Sequence, residues 1–292
     1  MGAADIVPGV SGGTIALITG IYEELITSID RLNLGVLTTL YKQGFRYFWS
    51  AINGPFLLPL FLGIMTSILF MSSAIDYLLV HHPIILWSFF CGLITASILL
   101  LIRQLEKKTP TTLLLLGVGF CIAFGITLVS PAGNSGSLFY LFCCSAVAIM
   151  AMILPGISGA FLFILLGVYE EVLETVRQMI PVLVTKDLAA IQSVYSKVVV
   201  IGLGIVIGLK LFSRLLKWLF SHRREETLSL LIGFMIGALP KIWPWKKVLT
   251  ENTTENISPF HYANDPQMSL ALAAFVFGAI SLFLVQRYAQ QQ

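Results

Sequence analysis

Six stretches of the chain are apolar over nearly their whole length, and polar residues gather in the short segments between them. The pattern predicts transmembrane helices at about 55–79, 84–102, 112–130, 197–217, 227–243 and 268–286. Each comes near the roughly 20 apolar residues that cross a bilayer core of about 30 Å. Two further apolar stretches do not read as plain spans. Residues 5–25, "DIVPGVSGGTIALITGIYEEL", open on a proline–glycine break and close on paired glutamates, and residues 152–172, "MILPGISGAFLFILLGVYEEV", repeat that arrangement. Proline beside glycine interrupts a helix, and the freed backbone groups are tolerated at membrane depth only against protein or a polar cavity.

At an offset of 147 the two stretches match Pro8 with Pro155, Gly9 with Gly156, Ser11 with Ser158, Gly12 with Gly159, Gly20 with Gly167, Tyr22 with Tyr169, Glu23 with Glu170 and Glu24 with Glu171. A weaker echo at an offset of 141 pairs Gly63 with Gly204, His81 with His222, Ser88 with Ser229 and Gly92 with Gly233, so the repeat unit includes the helices that follow each break. The expected fold is an all-α polytopic membrane protein of two repeats. Residues 1–136 hold a re-entrant element (1–29) and three spans, and residues 137–292 hold a re-entrant element (137–175) and three spans. If each glycine-broken helical hairpin enters and leaves on one face, an odd number of crossings delivers the second repeat upside down, giving inverted topology. The symmetry also predicts an entering arm before the first break. "SLFYLFCCSAVAIMAMIL" (137–154) supplies one in the second copy, only seven residues precede Pro8 in the first, and an upstream arm is expected there.

Charge counting orients the array. Arg31, Lys42, Arg46, Arg103, Lys107, Lys108, Lys210, Arg214, Lys217, Arg223, Arg224 and Arg287 fall on one side; Arg177, Lys186, Lys197, Lys241, Lys246 and Lys247 fall on the other. The positive-inside rule places the larger set, and with it the C-terminus, in the cytoplasm. Composition agrees with a membrane protein: of 292 residues 57% are hydrophobic and 11% charged, with a mean hydropathy of +0.88, against about 25% charged in an average soluble domain. The residues after Met1, Gly2-Ala3-Ala4-Asp5, do not form the basic start of a cleavable signal. A net charge of +3, spread beside apolar segments, does not suit nucleic acid. Cys91, Cys121, Cys143 and Cys144 lie in apolar runs without metal-ligand spacing, and His81 and His82 have no third ligand, so no metal or other cofactor is expected.

The breaks carry the candidate chemistry. Gly12 to Glu23 spans roughly 16 Å if helical, about half the hydrocarbon core, so glutamates at the interface leave the glycines near the midplane. Two half-helix N-termini then meet at the bilayer centre from opposite sides, an arrangement suited to an anion. Ser11, Gly12, Gly13, Thr14, Ser158 and Gly159 are the candidate anion contacts, with Phe161 standing where the first copy has Thr14. Tight helix packing through small residues is the competing reading. Glu23, Glu24, Glu170 and Glu171 are either solvated ends of the apolar stretch or coupling and gating groups, and Asp5 is a candidate proton site. Lys210 and Arg214 share a helix face with Lys217 and serve either as basic contacts or as side chains reaching for the interface.

The stretch "MGAADIVPGVSGGTIALITGIYEELI", with the second "LPGISGAFLFILLGVYEEVL", closely resembles the signature of the bacterial polyprenyl-phosphate transporter family, the undecaprenyl phosphate flippases, and the resemblance covers essentially the whole chain. It implies a multi-pass protein of the bacterial cytoplasmic membrane that returns undecaprenyl phosphate from the outer to the cytoplasmic leaflet for reuse in cell-envelope glycan synthesis. The headgroup would then bind at the facing breaks while the tail stays in lipid, with a proton or sodium gradient as candidate coupling. Membrane lipids and the lipid phosphate are the expected partners. A polyprenyl-diphosphate phosphatase would carry an arginine after the serine of the loop, which both copies lack, so a transporter rather than an enzyme is expected. An ion-coupled transporter of a small anion would use the same site.

Overall fold

The computed structural model describes residues 1–6, 11–32, 34–106, 109–128, 137–179, 188–250, 253–262 and 265–289. Short helices come first: α1 (Gly2–Ile6), α2 (Gly12–Ile18), α3 (Tyr22–Arg31), α4 (Leu34–Gln43) and α5 (Phe45–Ala51). Three long ones follow, α6 (Gly54–His81), α7 (Pro83–Gln104) and α8 (Pro110–Leu128). The chain then runs through α9 (Leu138–Ile153), α10 (Gly159–Leu165), α11 (Tyr169–Gln178), α12 (Leu188–His222) and α13 (Arg224–Ala238), and ends in α14 (Met268–Ala289). Helices α6, α7, α8 and α12 are long and apolar enough to cross a membrane, and α9 and α14 contain shorter apolar stretches. The protein is a predominantly α-helical, multi-pass membrane protein.

The predicted spans at 55–79, 84–102, 112–130 and 268–286 fall on α6, α7, α8 and α14. Helix α12 starts well before position 197, and α13 stops short of 243 because Pro240 passes the chain into a 3-10 turn, Leu239–Ile242. A two-stranded antiparallel hairpin, β1 (Lys246–Thr250) with β2 (Thr253–Asn256), follows, and hydrophobic periodicity gave no sign of it.

Helix α13 is the centre of the packing: Leu231, Ile232 and Met235 are fully enclosed, and the core continues through Tyr22 and Ile26. Two parallel helix pairs surround this core. Gly92 of α7 abuts the carbonyl of Phe275 while Gly278 of α14 abuts that of Phe89; Gly119 of α8 abuts the carbonyl of Leu230 while Gly233 of α13 abuts that of Leu116. Lipid tails are as apolar as Leu, so helices in a bilayer associate through such close backbone approach rather than through burial alone. The stretch of α7 that crosses is 56% buried and that of α6 only 6%, which makes α7 an inner helix and α6 a peripheral one.

Each of these glycines leaves no room for a side chain. Gly92→Leu and Gly233→Leu are expected to cost about 2 kcal/mol or more through overpacking, read as a lower unfolding temperature in detergent. Gly117→Ala, with no atom within 4 Å of the added methyl, is expected to leave that temperature unchanged.

Candidate functional site

Where α9 ends, its last carbonyls lose their helical partners, and side chains of the first broken element take them up. Ser11 Oγ donates to the Met152 carbonyl at 2.9 Å, and the Tyr22 hydroxyl donates to that of Ile153 at 3.2 Å. The N–H of Gly156, a residue at φ +87° that only glycine adopts readily, donates to Thr14 Oγ1 at 2.9 Å. The two glycine-broken elements are therefore bonded to one another. The partner break at residues 7–10, with Pro8 and Gly9, lies outside the described residues.

Ser11 also caps α2 by accepting from the Gly13 N–H at 3.1 Å. The Gly12 N–H donates to Asp5 Oδ1 at 2.7 Å. Ser158 caps α10 without a side-chain hydrogen bond to that helix. A cavity of about 240 Å³ opens beside these groups, with Asp5, Ser11, Ser145, Ser158 and Gly159 as its polar or backbone lining and Met152 and Phe163 among its apolar walls. It has room for several water molecules. Asp5 is the one ionisable side chain among its described lining residues.

Both half-helices are shorter than the Gly12–Glu23 spacing predicts. Gly20 and Gly167 sit at φ +78° and +69° and end them, so Glu23 and Glu24 open α3 while Glu170 and Glu171 open α11. Acids in a first turn complement the exposed N–H groups there, which accounts for the repeated Tyr-Glu-Glu.

Residues 1–258 match a family model described as undecaprenyl phosphate translocase-like. The chain belongs to that family. A polyprenyl-phosphate transporter of Vibrio cholerae serotype O1 is 41% identical over 306 aligned positions, covering 100% of this chain and 94% of the relative. A polyprenyl-phosphate transporter of Staphylococcus aureus is 31% identical over 256 positions, covering 84% of this chain and 83% of that relative. No solved structure matches.

In this family member, Ser11, Ser158, Gly159 and Asp5 meet at the cavity, and Gly12 stands behind Asp5. Thr14 is fully buried and bonded to Gly156, and Gly13 lies against the Ile153 carbonyl, so both hold the elements together, and neither is among the residues lining the cavity. Ser145, which lines it and returns its hydroxyl to the Leu141 carbonyl at 2.7 Å, was not singled out, because one serine in a small-residue helix carries no signal of its own.

The remaining candidates lie at the two ends of the helix array. At one end Lys210 donates to the Asp30 carbonyl and to Asp30 Oδ1 (3.1 Å), and Lys217 reaches Asp30 Oδ2 at 2.8 Å. Arg214 lines the same cavity of about 510 Å³. Glu23 pairs with Arg224 at 3.0 Å and Glu24 accepts from Asn53 at 3.0 Å at this end. At the other end Glu171 pairs with Lys197 at 2.8 Å and Glu170 is exposed. There the Lys246 ammonium lies 3.7 Å from the Trp87 ring centroid and that of Lys241 lies 4.1 Å from that of Phe161. Sequence reading missed Asp30, which is distant in the chain from the lysines it joins.

Thr14→Val keeps the shape and removes the acceptor for a buried N–H, so it is expected to destabilise by about 1–3 kcal/mol, measured by denaturation in detergent. Burial raises the Asp30 carboxyl, but hydrogen bonds and charge from Lys217 and Lys210 outweigh it and hold the group below its ordinary 3.8. Its stabilisation is therefore present above that value and is lost as pH falls through the lower folded-state value. Asp30→Asn is expected to lower the unfolding temperature at pH 7, and the gap from the unsubstituted protein is expected to close as pH drops below about 4.

Proposed function

We propose that the protein carries undecaprenyl phosphate, or a related polyprenyl phosphate, from the outer to the cytoplasmic leaflet of a bacterial cytoplasmic membrane, so that the lipid carrier is reused in envelope glycan synthesis. The observation that carries this reading is the cavity that Ser11 and Ser158, one from each broken element, line together with Asp5. The two relatives named polyprenyl-phosphate transporters support it. An apolar groove of about 710 Å³ lies on the other side of α1, with Ala4, Ile15, Leu78, Phe90 and Phe277 in its walls. Headgroup and tail of an amphipathic lipid then have separate places, since adjacent residues Ala4 and Asp5 face the groove and the cavity.

Inverted repeats, residues 1–136 and 137–292 with re-entrant elements at 1–29 and 137–175, give alternating access in this reading. The exchange of partners supports them: α7 of the first half pairs with α14 of the second and α8 with α13, through corresponding glycines. The Asp30 end, with most of the cations, faces the cytoplasm, and so does the C-terminus, because α14 runs parallel to α7.

A phosphate beside Asp5 meets like charge, and an unshielded ion at that depth costs several kcal/mol or more. Protonation of Asp5, or a sodium ion carried with the lipid, removes that conflict and couples transport to a gradient. The test is leaflet exchange of labelled polyprenyl phosphate in liposomes. Ser11→Ala with Ser158→Ala is expected to slow exchange at least about tenfold, the loss of one or two hydrogen bonds to a charged group. Asp5→Asn is expected to bind the lipid but lose the response to an imposed gradient. Full exchange in the double variant would sink the site, and phosphate release from a polyprenyl diphosphate would favour an enzyme.

A further inference from the structure

Lys241 and Lys246 lie at the end of the molecule opposite Asp30. Neither forms an ion pair among the described residues, whereas Lys197, Lys210, Lys217, Arg223 and Arg224 each have a carboxylate partner. Both ammonium groups are instead laid on aromatic rings, Lys241 on Phe161 and Lys246 on Trp87, and Lys246 donates to the Lys241 carbonyl at 2.7 Å.

Their backbone is pinned. Asn256 Nδ2 donates to the Pro240 carbonyl at 2.7 Å, Trp243 Nε1 to that of Ile257 at 2.9 Å and Trp245 Nε1 to that of Pro266 at 3.0 Å. The turn and the hairpin are thus folded onto each other, and the lysines do not simply swing out to water. Across the hairpin Lys246 faces Asn256, and the nearest acid in register, Glu255, faces Lys247. Burial, with the neighbouring Lys241 charge adding to it, pushes the Lys246 ammonium down to about 7, and burial lowers Lys241 as well.

Two like charges drawn together and partly taken from water are unfavourable unless an anion compensates them, and ring faces return only about 0.5–2 kcal/mol each. Phe161 lies two residues beyond Gly159, which lines the central cavity, so Lys241 stands over the second broken element while Lys246, bonded to the Lys241 carbonyl, sits on Trp87 of α7.

We propose that Lys241 and Lys246 form a receiving site for the phosphate ester headgroup of a lipid, from which the headgroup passes Phe161 to the cavity at Ser158. The inference rests on the transport reading and adds to it a residue pair that neither break contains. The headgroup chemistry has two sources, the polyprenyl phosphate that is carried and a resident anionic phospholipid.

The experiment titrates geranyl phosphate, a short soluble polyprenyl phosphate, into the full chain in phosphatidylcholine nanodiscs and follows tryptophan fluorescence, with Trp87→Phe identifying the reporter. Lys246→Met and Lys241→Met are each expected to weaken binding about tenfold, Lys246→Arg to retain it, and Lys247→Met to change nothing. Binding at pH 8 is expected to take up protons in calorimetry, because the anion recharges Lys246, and Lys246→Met is expected to abolish that uptake. Lys246→Met is also expected to unfold no earlier than the unsubstituted protein, since it removes uncompensated charge; a lower unfolding temperature together with unchanged affinity would mark a structural role and overturn the site. Repeating the titration with phosphatidylglycerol in the disc separates the sources: competition lost in the lysine variants assigns a resident lipid as an occupant, and no competition assigns the carried lipid alone. A lack of saturable signal from geranyl phosphate in the unsubstituted protein overturns the inference. Leaflet exchange is scored separately. Exchange without geranyl phosphate binding removes the lysine site and leaves the transport reading standing, and binding without exchange does the reverse.

Discussion

Backbone polar groups freed by a broken helix have no water to turn to at membrane depth, and much of the centre of this protein follows from how they are satisfied. The carbonyls of Met152 and Ile153 and the N–H of Gly156 are orphaned by the break after α9, and Ser11, Tyr22 and Thr14 answer them. All three side chains come from the other broken element. A local need for hydrogen bonds thus becomes a long-range tie, and the space left beside the tie is the cavity. Thr14 has its counterpart in Phe161, which makes no such bond and instead supports a lysine, so the two elements divide the work: one holds, the other faces the far end.

Glycine sets the second constraint. Where α7 meets α14 and α8 meets α13, each helix presents a glycine to a carbonyl of its partner, at positions that correspond between the two pairs. Contacts this close have little tolerance for sliding, while the outer faces of α6, α8 and α12 carry large apolar side chains that are exposed among the described residues. Rigid pairs with greasy outer faces suit movement by shifting intact blocks, as the proposed alternating access would use.

What was legible in the sequence was what depends on period and repetition. Four of the six predicted spans follow helices nearly to their ends, and the duplicated PGxSG contains Ser11, Ser158 and Gly159, which line one cavity. The readings that changed involve groups whose role depends on distant chain. Thr14 reads like a ligand contact because it lies three residues after Ser11, yet its partner is 142 positions away. The length of the half-helices was overread because Gly20 and Gly167 look like ordinary small residues in an apolar run until their positive φ ends the helix. Asp30 gave no signal because one acid on an amphipathic helix is ordinary; its meaning comes from lysines on α12. The hairpin after α13 was missed because strands of five and four residues are too short for alternation to register.

The distribution of charge along the axis joins these pieces. Cations stand at both ends: Asp30 answers Lys210 and Lys217 at one, Glu171 answers Lys197 at the other, where Lys241 and Lys246 have no partner among the described acids, and the described lining of the central cavity holds hydroxyls and a single carboxylate. In the proposed mechanism an anion is attracted to either end and meets a barrier in the middle that is set by the state of Asp5. Were the centre lined with lysines, a phosphate would be trapped there; a centre that donates hydrogen bonds yet repels by charge binds it only while the carboxylate is neutralised. Weak central binding between two attractive mouths is what turnover demands of a carrier, and in the proposed mechanism it would make passage conditional on a proton or cation without a separate gate.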